Sequence, residues 1–385
     1  MRVIEVVWLI LQVAIGYNLA IPLLLYVIFF FTKKKEALPK RPREADYAII
    51  VTAYEQTHLL QQSVHSILNI NYSNYLIYVV ADNCDISDLV FDDPKVVLLC
   101  PETTLGSNTR SHFYAIHRFV RKHERLTIID SDNLVGPGYL QELNKFFERG
   151  YLAVQGVREA KNLNTTYACL DAARDVYYHF YDGKLLFGVG SSATLAGSGM
   201  AFTTELYKHC LEHLDITGAG FDKVLQYEIV KRGERIAFAE NAHVYDEKTA
   251  RADQLVKQRA RWINTWFKYF SYGFSLVAKG VKSQSVNQFL FGLILLRPPL
   301  FIFLLLALVC LGVNIFISPL AVVLWVVAIL LFVAGFLIAL VKTKTDKRIY
   351  SALTGIPKFM FLQLLSLCKS SKANKISVAT RHDYT

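Results

Sequence analysis

An apolar run ends at two carboxylates in residues 126–132, which read LTIIDSD. We predict a buried strand over 126–129, with Asp130 and Asp132 at its carboxyl end. Open α/β sheets bind ligands at the carboxyl ends of their strands, where hard carboxylate oxygens can hold a metal-bound diphosphate. An ordinary solvated turn is the alternative, because Asp and Asn are common turn residues and Asn133 and Gly136 follow directly.

Strand-like and helical segments alternate through the first half of the chain. Besides 126–129, apolar runs predict strands over 47–52, 76–81, 96–99 and 152–154. Helical patterns lie between them, over 58–68, 109–120 and 138–147. This alternation predicts an α/β fold whose mainly parallel sheet is covered on both faces. In the less regular part that follows, we expect helices over 167–181, 205–212, 221–232 and 252–270.

Membrane segments account for the apolar composition. Of the 385 residues 53% are hydrophobic, and the mean hydropathy is +0.29. Residues 6–31 and 298–341 contain no charged side chain. A helix needs about 20 apolar residues to cross the hydrocarbon core, so we predict three spans, the last two joined by a turn at Ser318 and Pro319.

Basic residues beside the spans predict their orientation. Lys33, Lys34 and Lys35 follow the first span, and Lys342 and Lys344 follow the last. The positive-inside rule therefore places the N-terminus outside and the middle of the chain in the cytoplasm, at the plasma or inner membrane. The first segment has no small-residue cleavage site, so we expect a retained anchor rather than a signal peptide.

Two classes of function find no support in the composition. The net charge is +10, but the excess lies beside the spans, where anionic lipid headgroups account for it, and we expect no nucleic-acid partner. The six cysteines are scattered without metal-ligand spacing. We therefore expect reduced thiols and no zinc site.

These features divide the chain into six segments. We predict an N-terminal transmembrane anchor over 1–32, a basic linker over 33–46, a cytoplasmic domain over 47–282, an interfacial helix over 283–297, two transmembrane helices over 298–341, and a cytoplasmic C-terminal segment over 342–385. Arg297, Pro298 and Pro299 predict a sharp kink where the chain enters the membrane. The alternative to three spans is a further crossing of the bilayer by residues 283–297 or by residues 357–367.

Polar residues also end the first two predicted strands. Ala53, Tyr54 and Glu55 follow the first strand, and Asp82 follows the second. In a parallel sheet these ends meet in one crevice, where a carboxylate can accept hydrogen bonds from a base or ribose. A helix cap or turn is the alternative for Asp82.

Asp222 begins a predicted helix after the small-residue run 217–220. An Asp at this place in a helix is often a cap. A capping Asp is also well placed to be ionised and exposed at a site, and a base that deprotonates a sugar hydroxyl needs these properties.

Gln258, Arg261 and Trp262 share one face of a predicted helix. Arg can pair with a diphosphate, and Trp can stack on the apolar face of a sugar. The alternative is an amphipathic helix that places Trp262 and Trp266 at a membrane interface.

In this order, and between suitable spans, these pieces resemble a membrane-anchored family-2 glycosyltransferase of the cellulose, chitin and hyaluronan synthase type. The resemblance runs from about Tyr47 to the last span. It implies a cytoplasmic GT-A domain, an α/β fold that binds nucleotide sugars.

The resemblance implies a role for each residue of the donor site. Ala53, Tyr54 and Glu55 would border the nucleotide, Asp82 would contact its base or ribose, and Asp130 would assist. Asp132 would bind Mg²⁺ or Mn²⁺ on the diphosphate, and the metal would stabilise the leaving group.

The resemblance also implies the acceptor side. Asp222 would be the general base of one inverting displacement. Gly197, Ser198 and Gly199 resemble the small-residue turn beside the donor sugar and acceptor. Gln258, Arg261 and Trp262 would hold the diphosphate and the acceptor end.

Two positions depart from the family pattern. Phe221 stands where the family often has Glu before the base. A lysine usually found near a Gly after the third strand is missing, and Arg110 is our candidate to replace it in binding the nucleotide sugar.

We therefore expect transfer of a sugar from a nucleoside diphosphate donor, with UDP favoured, to a growing polysaccharide or to a membrane-linked acceptor. The Gln-x-x-Arg-Trp cluster favours a processive synthase, whereas the small number of spans favours single transfer to a lipid acceptor. Expected partners are the donor, the acceptor, the bilayer and other glycan-synthesis or export proteins. A non-catalytic membrane subunit of a glycan-synthesis complex is the alternative from another class.

Overall fold

A computed structural model describes residues 3–32, 38–40 and 42–373, without the side chain of Lys372. Lys33, Lys34 and Lys35, on which the predicted orientation partly depends, lie outside the described residues. Within the described part, eight strands form one sheet in the order β3-β2-β1-β4-β7-β6-β8-β5. The strands are β1 (Tyr47–Tyr54), β2 (Tyr75–Asp82), β3 (Val96–Leu99), β4 (Arg125–Asp130), β5 (Leu134–Val135), β6 (Ala153–Ala160), β7 (Met200–Thr203) and β8 (Ile236–Asp246).

The first half of the sheet is parallel, as the alternating pattern predicts. β1 pairs with β2 and β4 in parallel, and β2 pairs with β3 in the same way. In this register Tyr54 lies opposite Asp82, and Thr52 lies opposite Asp130. The carboxyl ends of three strands therefore present their polar residues at one edge of the sheet.

The second half of the sheet is mixed. β7 runs antiparallel to both β4 and β6, whereas β6 and β8 are parallel. All five predicted strands are confirmed, but β5, β7 and β8 were not predicted. β8 is 11 residues long; its exposed Glu240 and Asn241 interrupt the apolar pattern that marks the other strands.

The helices before the membrane region match the predicted ones to within a few residues at most ends. After α1 (Val3–Thr32), they are α2 (Leu60–Leu68), α3 (Asn108–Ile116), α4 (Tyr139–Phe147), α5 (Thr166–Tyr178), α7 (Thr204–Leu211), α8 (Phe221–Lys231) and α9 (Ala252–Tyr269). Two further helices, α6 (Leu186–Gly188) and α10 (Tyr272–Lys282), were not predicted. A further difference is at α5, where a π-helix follows at His179–Leu185. Such wider turns re-aim side chains and are frequent at functional sites.

Both faces of the sheet are covered, because alternate residues of the central strands enter two separate cores. Ile49, Ile77 and Ile129 pack with α2 and α4 in one core. The other core takes the intervening residues of the same strands and continues into the membrane helices; its members include Ile50, Tyr78, Ile128, Leu19, Tyr177 and Phe332. This shared core fixes the sheet domain directly on the apolar helices that are candidates for crossing a membrane.

The candidate membrane region contains α11 (Val286–Leu296), α12 (Leu300–Asn314), α13 (Pro319–Lys342), α14 (Lys347–Ala352) and α15 (Ile356–Lys369). Among the described residues, three helical segments are long and apolar enough to cross a membrane, at Val3–Thr32, Pro319–Lys342 and Lys347–Lys369. The predicted turn before Pro319 is confirmed, with Ser318 capping α13. The predicted kink at Arg297 is confirmed by an angle of 74° between α11 and α12.

The first helix predicted within 298–341 is shorter than expected. α12 has 15 residues, and at 1.5 Å per residue it is ~22 Å long, against ~30 Å of hydrocarbon. It is long enough to count as a span only together with α11. The sequence did not reveal this, because the uncharged run continues unbroken across the break at Ser318.

A polar contact joins three membrane helices. Gln12 Oε1 of α1 accepts hydrogen bonds from Asn314 Nδ2 of α12 at 2.6 Å and from Trp325 Nε1 of α13 at 2.8 Å. Polar groups in hydrocarbon need such partners, so this node fixes the helices relative to one another.

Candidate active site

A cavity of about 640 Å³ opens at the carboxyl edge of the parallel strands and continues to the break between α11 and α12. Its wall includes most of the residues predicted for the donor and acceptor sites: Ala53, Tyr54, Asp82, Asp130, Asp132, Gly197, Asp222, Gln258, Arg261 and Trp262. The fold therefore brings these side chains together around one cavity, although they are far apart in the sequence.

The turn that carries Asp130 and Asp132 is held from behind by Ser198. Ser198 Oγ accepts hydrogen bonds from the Asp130 backbone N–H at 3.1 Å and from Asn133 Nδ2 at 2.7 Å. The Asn133 N–H donates to the Asp130 carbonyl at 3.0 Å and closes the turn. Both carboxylates reach the cavity from a turn whose backbone is anchored at two points.

Asp82 is buried and ties a loop to the end of β2. Its two carboxylate oxygens accept hydrogen bonds from the backbone N–H groups of Leu105 and Gly106, each at 2.8 Å. Each oxygen keeps further acceptor capacity. Asp82 can therefore position the 105–106 loop and still accept a hydrogen bond from a ligand in the cavity.

Two buried amide side chains hold the loop that carries Gly197. Gln155 Oε1 accepts from the Ala196 N–H at 2.9 Å, and Gln226 Oε1 accepts from the Leu195 N–H at 3.0 Å. Gly197 itself has φ +87° and lines the cavity, and a Cβ there would meet nothing within 4 Å. The loop leaves open space for a sugar at this position.

Asp222 lies in the first turn of α8 and is part of the cavity wall. The turn before it depends on Gly220, which has φ +107°, and a Cβ there would lie 2.6 Å from side-chain atoms of Thr265 and Tyr269. Helix α9 therefore sets where α8 begins. Lys223 Nζ lies 3.1 Å from the Asp222 carboxylate.

Helix α9 presents Gln258, Arg261 and Trp262 to the cavity, as their spacing predicts. Gln258 Oε1 accepts a hydrogen bond from Thr249 Oγ1 at 3.0 Å. Burial lowers the pKa of the Arg261 guanidinium from its ordinary value. The guanidinium carbons of Arg174 and Arg259 lie 4.3 and 4.1 Å from the centre of the Trp262 ring, so part of that ring is occupied by cations from this chain.

Four predicted site residues lie off the cavity wall: Glu55, Arg110, Ser198 and Gly199. Arg110, the predicted substitute for the missing lysine, instead forms an exposed ion pair with Asp215 at 2.6 Å. Glu55 bends the chain after β1 at φ +59° and donates its N–H to the Asp82 carbonyl at 3.2 Å. A Cβ at Gly199 would lie 2.7 Å from Val244 Cγ2, so this glycine serves packing against β8.

Sequence reasoning missed a series of buried ion pairs deeper in the cavity, which we name the ion-pair row. Its members are Arg158, Asp246, Lys248, Asp175, Arg174, Asp171 and Arg259. The row begins at the Gly197 loop, where Arg158 donates to the Ala196 carbonyl, and reaches α9 at Arg259. Within α5, Asp171, Arg174 and Asp175 share one face by helical spacing. No local spacing connects this face with Arg158 of β6, Asp246 of β8, Lys248 of the loop after β8 or Arg259 of α9.

The charge of the ion-pair row depends on burial and pairing together. Burial alone would raise the pKa of Asp175, but Arg174 and Lys248 hold it well below its usual range. Burial raises the pKa of Asp171 to about 6 despite its cationic neighbours. Nearby His179, on the π-helix, has its pKa lowered by burial to about 4, so its imidazole is neutral at neutral pH.

The end of the cavity at Asp130 and Asp132 offers oxygen ligands for a hard divalent cation. In the part of the chain that the structure describes, no three His, Cys, Asp or Glu side chains are grouped closely enough to hold a metal alone. Asp130 and Asp132 nevertheless share one turn on the wall. Mg²⁺-type sites commonly combine one or two carboxylates with substrate phosphates, and this pair of side chains fits such a site.

The family model for "Glycosyltransferase like family 2" matches residues 42–265. The chain belongs to this family. The matched segment contains the sheet, the Asp130–Asp132 turn, Asp222 and the Gln258–Trp262 motif.

A solved structure extends the likeness beyond that segment. It is the mannosyltransferase PcManGT from Pyrobaculum calidifontis, in complex with GDP-Man and Mn²⁺. The TM-score is 0.57 at 15% sequence identity, and the match covers 93% of this chain and 98% of that one. The fold is the expected α/β fold of GT-A type. No protein of curated function matches the sequence.

Proposed function

We propose that the protein is an inverting glycosyltransferase that moves a hexose from a nucleoside diphosphate donor to an acceptor presented at the membrane surface. One observation carries this proposal: Asp82, Asp132, Asp222 and the Gln258–Trp262 motif line a single cavity. Family membership supports the reaction class. A protein that only binds a partner has no physical need for separate acids at a shared cavity.

We propose that the donor lies across the carboxyl ends of β1, β2 and β4. Ala53, Tyr54 and Asp82 would border the base and ribose, and Asp130 would orient the nucleotide. Asp132 would hold Mg²⁺ or Mn²⁺, and a bound divalent ion would offset the negative charge that develops on the leaving diphosphate. Arg261 would add a guanidinium on the diphosphate from the other side.

Asp222 would accept the proton of the attacking hydroxyl while that oxygen bonds to the anomeric carbon from the face opposite the diphosphate. A single displacement of this kind inverts the configuration and needs no covalent sugar–enzyme bond. Gly197, where no side chain fills the space, would allow the sugar to lie against the loop backbone. The anchoring of α8 by α9 would keep the base in place.

Two lines of support favour different donor nucleotides. The synthase-type resemblance favours UDP, whereas the similar mannosyltransferase structure holds GDP-Man and Mn²⁺. Both donor classes therefore belong in any assay. Mn²⁺ is the metal to supply first.

For the acceptor, a membrane-linked substrate is favoured over an exported polymer. Within the described residues, the cavity wall takes nothing from α1 or α13 and only the first turn of α12. A channel through the bundle would need such residues. We propose single transfer at the cytoplasmic surface, with the N-terminus outside and the C-terminal segment inside.

The test is transfer and donor hydrolysis by the full chain in membranes, with radiolabelled UDP- and GDP-hexoses and Mn²⁺. Asp222→Asn should lower transfer by ~10²–10⁴-fold, as expected for loss of a general base, and leave donor binding unchanged. Asp215→Asn, a surface aspartate beside Arg110, is the matched control and should retain wild-type transfer. Full activity of Asp222→Asn would remove the base assignment. Intact nucleotide binding without turnover of any donor would favour the non-catalytic subunit.

A further inference from the structure

Buried guanidinium groups at the membrane end of the cavity lack acceptors. Among the described residues, Arg259 Nε and Nη1, Arg297 Nη1 and Arg174 Nε have no hydrogen-bond partner there, and neither does Arg158 Nε at the other end of the ion-pair row. All four side chains lie on the cavity wall. We propose that this end binds the phosphoryl group of an acceptor carried on an apolar membrane chain, a phosphate or diphosphate ester of a lipid alcohol. The proposal deepens the proposed function and rests on it.

Arg297 lies where the chain breaks before entering the bundle. It is 7% exposed and follows α11, and after Pro298 and Pro299 helix α12 begins at Leu300. Its Nη2 pairs with Asp182 of the π-helix, which leaves Nη1 available. The N-terminus of α12 also lines the cavity, and the positive end of a helix favours an anion.

Arg259 supplies the second group of donors. It is 3% exposed, and its Nη2 is bonded to Asp171. Arg174 shares the same Asp171 oxygen, at 3.1 Å. Arg174 and Arg297 then approach the same ring, with guanidinium carbons 5.9 and 5.5 Å from the centre of Tyr178. These shared contacts place Arg259, Arg174 and Arg297 around one part of the cavity.

The balance of donors and charge favours an anion over a neutral sugar. On the acceptor side, Asp182 Oδ1 also lacks a hydrogen-bond partner, against four such nitrogens on Arg174, Arg259 and Arg297. A hydroxyl group donates as well as accepts, whereas phosphoryl oxygens only accept. The ion-pair row and its neighbours on the cavity wall contribute six cations, Arg158, Arg174, Lys248, Arg259, Arg261 and Arg297, and five acids, Asp171, Asp175, Asp182, Asp246 and Glu247.

The apolar part of the wall indicates how such an acceptor would enter. Ile294 and Leu295 of α11 and Leu300 and Phe301 of α12 border the cavity on either side of Arg297. α11 and α12 diverge by 74° at this point. A lipid chain can leave the cavity between them into the bilayer while its phosphoryl group stays beside the arginines.

The binding test uses the full chain in nanodiscs of neutral phosphatidylcholine, with fluorescence of Trp262 and Trp266, which line the cavity, as the readout. The probes are farnesyl phosphate, farnesol and inorganic phosphate. Farnesyl phosphate should bind at least tenfold more tightly than either of the other two. Equal binding of farnesol would overturn the proposal, and equal binding of inorganic phosphate would show a site for the free anion rather than for a lipid.

Arg297→Lys should weaken farnesyl phosphate binding at least tenfold and leave binding of UDP or GDP with Mn²⁺ unchanged. Arg125→Lys, a buried arginine paired with Glu148 away from the cavity, is the matched control. Should Arg297→Lys not fold, the charge-balanced pair Asp182→Asn/Arg297→Gln should show the same loss. Unchanged farnesyl phosphate binding in the folded variant contradicts the proposal.

Two further measurements distinguish a site for a lipid phosphate from a site for the donor diphosphate and from a site for a glycan. Farnesyl phosphate should bind in the presence of saturating nucleotide and Mn²⁺; competition between them would assign these arginines to the donor diphosphate instead. A neutral decyl glucoside that binds as tightly as farnesyl phosphate would assign them to a glycan. Binding of farnesyl phosphate without turnover of any donor would count against the proposed function alone, and turnover without that binding would count against this site alone.

Discussion

The two ends of the cavity are built in opposite ways. At the donor end, Asp130 and Asp132 occupy a tight turn at a strand end, and Asp82 is held by two backbone N–H groups. At the membrane end, the charged groups are held mainly by one another, through the ion-pair row and the Arg297–Asp182 pair. The donor end is acidic and anchored by backbone, whereas the membrane end is rich in cations and anchored by side chains.

This difference predicts different consequences of mutation. A carboxylate on a preformed turn can be neutralised without disturbing the fold, so its loss should affect binding and chemistry. A member of a buried ion network leaves an uncompensated charge when its partner is removed, so its loss should affect stability first. The following experiments test whether mutations at one end of the cavity affect binding and chemistry while mutations at the other affect stability.

The largest effect is expected from Asp132→Asn. Removing the proposed metal ligand should lower transfer by ~10³-fold or more, since a bound metal contributes several kcal/mol of transition-state stabilisation. The Tm should stay within a few degrees of wild type. The exposed Asp88→Asn is the matched control for both measurements. An unchanged rate, or unfolding of the variant, would break the proposed contrast.

Asp246→Asn should lower the free energy of unfolding. It removes the partner of Arg158 and one partner of Lys248, and breaking a buried pair typically costs ~3–5 kcal/mol. Denaturant unfolding of the purified protein measures this loss. Asp246→Asn/Lys248→Met restores the charge balance and should recover part of it. A stable single variant would show that the row contributes little to the fold.

Gly220→Ala tests the link between α9 and the base. The added methyl group meets Thr265 and Tyr269 at 2.6 Å in a left-handed backbone conformation. We expect a displaced Asp222 and ~10²-fold slower transfer, because small misplacements of catalytic groups are costly. Gly233→Ala, with φ +90° at the other end of α8 and open space around it, is the control. Equal activity of the two variants would mean that α9 does not position the base.

The smallest effect is expected in the bundle, far from both ends of the cavity. Gln12→Leu removes the acceptor shared by Asn314 and Trp325, and interhelical hydrogen bonds in membranes contribute ~0.6–2 kcal/mol. Thermal unfolding in nanodiscs should show a Tm a few degrees lower, with donor binding unchanged. Thr32→Val, which loses a bond only within its own helix, is the control. A large loss of donor binding would show that the bundle shapes the site.

The same contrast explains which parts of the molecule could be read from the sequence. The strand ends at Asp82 and Asp130 were predicted because a short continuous apolar run followed by a polar turn is a local signal. The Gln258–Trp262 motif was visible for the same reason, since helical spacing places its members on one face. These local signals cover the parallel half of the sheet and most of the donor end.

The remainder depends on contacts between distant segments. Arg158 and Asp246 are 88 positions apart and meet only because β6 and β8 pair in parallel. β8 itself was missed, and without it neither the ion-pair row nor the packing of Gly199 on Val244 could be foreseen. Arg110 was placed by analogy with an expected lysine, but its pairing with Asp215 depends on the loop before α8.

The central claim is that acids from separate elements act on one metal-bound diphosphate in one cavity. An experimental structure with Mn²⁺ and a non-hydrolysable UDP- or GDP-hexose tests it most directly. The account predicts an Asp132 oxygen in the coordination sphere of the metal, at about 2.1 Å, Asp82 at the nucleoside, and the anomeric carbon open to a hydroxyl beside Asp222. A donor bound with its diphosphate away from Asp132, or with its anomeric carbon turned away from Asp222, would contradict it.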